Sequence, residues 1–244
     1  MELDISIAFA LYLVGFLYAS VGHGGASGYI AVLSLFAVPV STYKPLILVL
    51  NILVAGMGFY HFWKAGYFRW NLCRLFLITS VPAAFIGSKY SLEGNIYHYL
   101  LGLALVLPII KLLGIKPNES ENLKPVKLLP ALLIGGLIGG LSGMLNIGGG
   151  IFLSPILILL GWANVKEAAA ASALFIVLNS LSGLLGSSAA LNISPSAVTW
   201  FIMAATGGIT GAYFGSSHFQ HHTVRYLLSA VLTIASVKLL FFAT

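Results

Sequence analysis

Apolar residues run along this chain in long blocks, broken at short intervals by glycine, proline or a few charges. The blocks lie at about 3–20, 26–40, 45–63, 71–88 and 95–115, then at 128–145, 148–162, 168–190, 196–216 and 222–243, ten in all. Several reach the roughly 20 residues that cross a bilayer as helix. The alternating ten-residue signature of an outer-membrane barrel is missing. One polar stretch of any length, KPNESENLKPVK at 116–127, has the composition of a solvated linker and divides the chain near its middle. The pattern predicts an all-α polytopic membrane protein with a membrane half at 1–115, a cytoplasmic linker at 116–127 and a second half at 128–244.

Composition sharpens this picture. Hydrophobic residues make up 59% of the 244 positions and charged residues 7%, with a mean hydropathy of +1.00. A soluble domain carries about a quarter charged residues. Twelve basic against six acidic residues give a net charge of +6. Most of that surplus sits in short connections, where it reports orientation in the membrane rather than binding of nucleic acid. A single cysteine, Cys73, rules out an internal disulfide and a multi-cysteine zinc site, and reads as a packing residue. The opening MELDIS is acidic where a secretory signal would be basic, so the first block is expected to be a retained helix.

The halves resemble one another. YLLGLALVLPIIKLL at 99–113 matches YLLSAVLTIASVKLL at 226–240. With shifts of a few residues the alignment also pairs Asn51 with Asn179, Gly87-Ser88 with Gly215-Ser216, and Gly24-Gly25 with Gly148-Gly149. Internal duplication of this kind is common in transporters. Lys64, Arg69 and Arg74 in one connection, and Lys111, Lys116, Lys124 and Lys127 around the linker, should be cytoplasmic, with Lys89 outside. Lys166 and HFQHHTVR at 218–225 fall inside, and LNISPS and the acidic start of the chain outside. Each half then makes an odd net number of crossings, so the repeats should be inverted. Each would hold a full helix, a Gly-rich break with a short segment, and three further helices. Gly24 to Val38 spans about 22 Å as helix, short of a hydrocarbon core of roughly 30 Å, so the short segments are either re-entrant or thin crossings.

The breaks are where chemistry is expected. VGHGGASGYI at 21–30 and SGMLNIGGGIFLSP at 142–155 each end a full apolar helix, turn on glycines and start a short apolar segment. A helix start offers unpaired N–H groups at a positive dipole end, which suits an anion. Irregular backbone at membrane depth is tolerated where it lines a cavity or is buried in protein. The candidate substrate site takes Ser20, His23, Gly24, Gly25 and Ser27 from the first half, and Ser142, Asn146, Gly148, Gly149 and Gly150 from the second. Asn51 and Asn179, equivalent amides within apolar helices, would support the breaks or face substrate, as an alternative to plain interhelical bonding. The glycines of IGGLIGGLSG just upstream of the second break read as helix packing.

Other features stay structural. His218, His221 and His222 lack a carboxylate or thiolate to complete a metal set and read as an interfacial loop, so neither a metal nor another cofactor is expected. Tyr60, Trp63, Tyr67 and Trp70 bracket a basic connection as an aromatic belt does. No G-x-x-x-x-G-K-[ST] loop is present for ATP, and the membrane blocks hold almost no acids for a carboxylate ion relay. Facilitated movement, or coupling through His23, fits better. An intramembrane lipid-phosphate enzyme would want clustered Glu, Arg or His in the bilayer, and a non-transporting assembly subunit would need no paired breaks.

GHGG after the first helix, NIGGG after the fifth, the short polar linker and the length together resemble the TauE/SafE sulfite exporters, also called the toluene sulfonate uptake permease superfamily. The resemblance covers nearly the whole chain. It implies movement of a small sulfur-containing anion, such as sulfite, sulfoacetate or another organosulfonate, across the bacterial inner membrane. The partners it implies are that anion and the lipid bilayer, with homo-oligomerisation left open.

Overall fold

The computed structural model describes residues 2–36, 38, 40–90, 123–187 and 194–220, with scattered positions between 99 and 109 and between 223 and 241. The fifth and tenth apolar blocks, most of the linker at 116–127 and the YLL repeat match therefore lie largely outside the described residues. So do His221 and His222.

All described secondary structure is helical. In chain order the helices are α1 (Glu2–Ser20), α2 (Ala26–Leu35), α3 (Val40–Lys64), α4 (Trp70–Ser88), α5 (Leu128–Leu145), α6 (Gly150–Leu159), α7 (Val165–Gly186) and α8 (Pro195–Ser217). Five of them, α3, α4, α5, α7 and α8, are long and apolar enough to span a bilayer. The ends depart from the hydrophobic pattern where local chemistry sets them. Helix α7 starts three residues earlier than its apolar block because Asn164 and Glu167 form a capping box, each side chain bonded to the other's backbone N–H. Helix α3 carries Pro45 within its second turn and so begins before the proline that seemed to open the block.

Helix direction follows from contact register. Tyr12, Phe16 and Ser20 of α1 present their carbonyl oxygens to Gly207, Gly211 and Gly215 of α8, so these helices run parallel. Phe76, Ser80 and Ala84 of α4 do the same to Gly135, Gly139 and Gly143 of α5. In both seams a side chain on the glycine would strike backbone, so small residues at every fourth position let the helices touch. Helices α3 and α8 are also parallel, with Tyr43 on Trp200 and His61 on Tyr213. Helices α4 and α7 are parallel too, with Cys73 bonded to the carbonyl of Ala171 and Ser182 to that of Val81. At the centre α3 and α7 cross antiparallel, pairing Asn51 with Ser180 and packing Phe62 on Ala169 and Ala170.

These directions gather Lys64, Arg69, Arg74, Lys124, Lys127 and Lys166 on one face, which the positive-inside bias marks as cytoplasmic. Lys44, Lys89 and the start of α1 lie on the other. Tyr60, Trp63 and Trp70 are exposed at the basic face, as an aromatic belt requires. Ile5, Phe9 and Leu13 on α1, with Leu133, Leu137 and Leu141 on α5, form exposed i, i+4 rows that suit lipid contact.

Each short segment leads back to the face from which the long helix before it started. The N–H of Lys124, just before α5, donates to the carbonyl of Gly161, just after α6, at 2.8 Å, so α6 brings the chain back to the face where α5 began. At the end of α2, Leu33 lines one cavity with Tyr43, Leu46 and Ile47 at the start of α3. The ten helical residues of α2 rise about 15 Å, about half of a hydrocarbon core of roughly 30 Å.

A pair of glycine breaks at the centre of the bundle

The two breaks share one backbone device. At the end of α1 the N–H of Gly22 donates to the carbonyl of Ala19 and that of His23 to Tyr18, with Gly22 at φ +77°. At the end of α5 the N–H of Asn146 donates to Gly143 and that of Ile147 to Ser142, with Asn146 at φ 55°. Both are Schellman caps, which need a left-handed residue at the same place; glycine supplies it once and asparagine, the next most tolerant residue, supplies it the other time. Each cap is followed by one residue (His23 or Ile147), two glycines, and the start of a ten-residue helix.

The breaks meet. Asn51, 1% exposed and halfway along α3, accepts from the N–H of Ala26 at 3.2 Å through Oδ1. Through Nδ2 it donates to the carbonyl of Ile147 at 3.3 Å and to Ser180 Oγ at 2.9 Å. One amide thus holds the first turn of α2, the second break and α7 together. His23, also 1% exposed, places Nδ1 3.0 Å from the carbonyl of Val21 and Nε2 3.2 Å from that of Gly150. A neutral imidazole can donate from only one nitrogen, whereas both neighbours are acceptors. The second contact therefore becomes a bond only when the ring is doubly protonated.

A narrow cavity lies among these groups, lined by Tyr18, His23, Gly24, Gly25, Ser27, Asn51, Ile147, Ile151 and Ile176, with room for about one water molecule. The Tyr18 hydroxyl bonds Ser27 Oγ at 3.0 Å. Tyr29 packs its buried phenol against Gly25, and its hydroxyl has no partner among the described residues. Gly24 lies against the Asn51 side chain and Gly148 lies between Asn51 and Ser180, so neither has space for a Cβ.

Of the residues singled out in the sequence, His23, Gly24, Gly25, Ser27 and Asn51 line the cavity, while Gly148 and Gly150 reach it through Asn51 and His23. Asn146 forms the cap of the second break and Gly149, at φ +74°, caps the start of α6. Three others point elsewhere. Ser20 and Ser142 bond carbonyls of their own helices, at Leu17 and Gly139. Asn179 bonds the carbonyl of Phe175 one turn back, and its buried Oδ1 has no partner among the described residues. It does not repeat the role of Asn51. Tyr18, Tyr29 and Ser180 were missed: a tyrosine or serine in an apolar helix carries no signal until the fold shows what it faces. No group of metal-ligating side chains occurs among the described residues.

Comparison with known proteins agrees with this architecture. The sulfite exporter TauE/SafE family model matches residues 7–239. The chain is 34% identical over 241 residues to "Probable membrane transporter protein y4hK" of Sinorhizobium fredii (strain NBRC 101917 / NGR234), covering 97% of this chain and 98% of the relative. It is 25% identical over 254 residues to "Probable membrane transporter protein YdhB" of Bacillus subtilis (strain 168), covering 96% and 99%. No solved structure matches it. The chain belongs to the TauE/SafE family and is a multi-pass membrane transporter of the bacterial inner membrane, not an enzyme.

Proposed function

We propose that this protein moves small sulfur-containing anions, sulfite, sulfoacetate or other organosulfonates, by alternating access around the paired breaks, as a facilitator or a proton-coupled carrier. The observation that carries the reading is the meeting of two identically capped breaks, one from each half, at the depth of Asn51. Two helix starts then converge on one point from opposite halves, each with N–H groups and a positive dipole end, beside neutral donors from Asn51, Ser27 and Ser180. Such a site neutralises an oxyanion in part, without the tight grip of an arginine, so the anion can leave again.

Residues 1–115 and 128–244 form the two repeats in this reading, joined by the cytoplasmic linker, and the helix directions support an inverted relation. Helix α1 is antiparallel to α5 in the bundle, α3 to α7, and α4 to α8, and, among the described helices, each first helix packs on the last long helix of the other half. The cavity, with room for about one water, is smaller than any of these anions, so the arrangement described is a closed one. Opening requires the links from Asn51 and His23 across the breaks to part. Ser20, Ser142 and Asn179 belong to the packing around the site rather than to its lining.

The variant Asn146→Gly tests this reading cleanly. Glycine keeps the left-handed cap, as Gly22 does in the first break, and removes only the side-chain amide. In proteoliposomes it should fold normally and carry labelled sulfite or sulfoacetate at a rate reduced about ten-fold, the worth of one hydrogen bond to a charged group. Unchanged rates would remove Asn146 from the site, and no flux of either anion by the unaltered protein would remove the sulfur-anion reading.

A further inference from the structure

Lys166 lies in the first turn of α7 on the basic face, yet it is only 6% exposed. A lysine at a helix end usually stretches its ammonium to the interface. Here Nζ turns into the protein. It donates to the carbonyl of Ser216 at 3.2 Å, lies 3.5 Å from the Tyr67 hydroxyl, and sits 5.0 Å from the centre of the Tyr67 ring. None of these groups carries a formal charge; the Ser216 carbonyl, in the last turn of α8, and the Tyr67 ring offset the ammonium in part. The neighbouring carboxylate, Glu167, is held by Arg69 at 3.2 Å and by the N–H of Asn164 at 3.1 Å. Among the described residues no carboxylate reaches Lys166 to compensate its charge.

Burying an ammonium without a counter-ion is costly. Its place in the fold suggests what offsets that cost. One turn further along α7 the backbone of Ala169 stands against Gly22, 2.5 Å from where a Cβ would be, and Gly22 precedes His23. Lys166 thus lies at the basic face, one turn of α7 from the residue that packs on the first break.

Resting on the anion-carrier reading above, we propose that Lys166 is the inner-mouth binding residue for the transported oxyanion. Its ammonium takes an oxygen of a sulfite or sulfonate group at the cytoplasmic side before the anion passes to the breaks. The anion supplies the missing counter-charge, and the carbonyl of Ser216 with the Tyr67 hydroxyl holds the ammonium in place between passages.

The test titrates the purified full-length protein in detergent with sulfite, sulfoacetate and sulfate, at ionic strength held constant with chloride, and reads the thermal unfolding midpoint. Flux of the same anions is measured in proteoliposomes. Lys166→Gln keeps a donor for the Ser216 carbonyl and removes the charge. Without anion it should unfold at the same temperature as the unaltered protein or higher, because it removes a buried charge that has no counter-ion. Its half-saturating anion concentration should rise about ten-fold or more. Lys166→Arg should stay near the unaltered value, and Lys166→Met, which also lacks the charge, should repeat the loss. Half-saturation unchanged in Lys166→Gln and Lys166→Met, with flux present, overturns the inner-mouth site and leaves the carrier reading standing. Lys166-dependent binding without flux does the reverse. Neither stabilisation nor flux with any of the three anions overturns both.

Discussion

Asn51 and Asn179 pair when the two halves of the sequence are aligned, yet the structure predicts different consequences for removing them. Asn51→Ala deletes three hydrogen bonds and leaves the N–H of Ala26 and the carbonyl of Ile147 without the partner they have now, both in the protein interior. At about 1–3 kcal/mol for each of the two buried backbone groups left unpaired, the loss is on the order of 2–6 kcal/mol, the lower part applying if water enters the cavity. Asn179→Ala deletes one bond back to its own helix and, with it, a buried oxygen that has no partner among the described residues. Those two effects nearly cancel, so stability should change by less than about 1 kcal/mol in either direction. Chemical unfolding of both variants in mixed micelles, with helical circular dichroism as readout, compares them directly. Equal losses, or a larger loss at Asn179, would refute the assignment of Asn51 as the link between the breaks.

The glycine seams predict a similar contrast. Gly139→Ala and Gly211→Ala drive a methyl into the carbonyls of Ser80 and Phe16 and should cost about 1–3 kcal/mol by forcing helices apart, while Gly140→Ala and Gly183→Ala, which meet open space, should be near neutral in the same unfolding assay. Glu167→Ala removes the capping box of α7 and the contact to Arg69 together. Since the Arg69 side chain is 41% exposed, the cap should dominate, giving a loss of about 1 kcal/mol that Arg69→Ala alone does not reproduce.

Much of the fold was legible in the sequence because bilayer-spanning helices advertise themselves by length and apolarity. The block at 128–145 coincides with α5, and the glycines of IGGLIGGLSG pack a helix seam as read. The break positions were legible for a local reason: a left-handed cap needs Gly22 or Asn146, and two glycines follow each. Local chemistry that apolarity does not record was missed, as at Asn164 and Glu167, although N-x-x-E before an apolar run is a recognisable capping signature. Tertiary roles were not legible at all. Asn51 and Asn179 look alike in sequence, and only the antiparallel crossing of α3 and α7 decides that Ser180, rather than Asn179, meets Asn51. The crosswise packing of α1 on α8 and of α5 on α4 depends on long-range pairing that no window of sequence contains.

If a small anion passes where the two breaks meet, its flux depends on His23, which stands between them. His23 sets one ring nitrogen by the carbonyl of Val21 and the other by that of Gly150, and His23→Gln, whose two amide hydrogens share one nitrogen, cannot place a donor at both. The measurement is uptake of labelled sulfite and sulfoacetate into proteoliposomes, with and without a pH gradient, for the unaltered protein, His23→Gln and empty vesicles. Flux should stand well above that of empty vesicles for at least one anion and fall about ten-fold or more in His23→Gln with the protein still folded. Flux that persists unchanged in the folded variant would contradict this, because the anion would then be crossing somewhere other than the paired breaks.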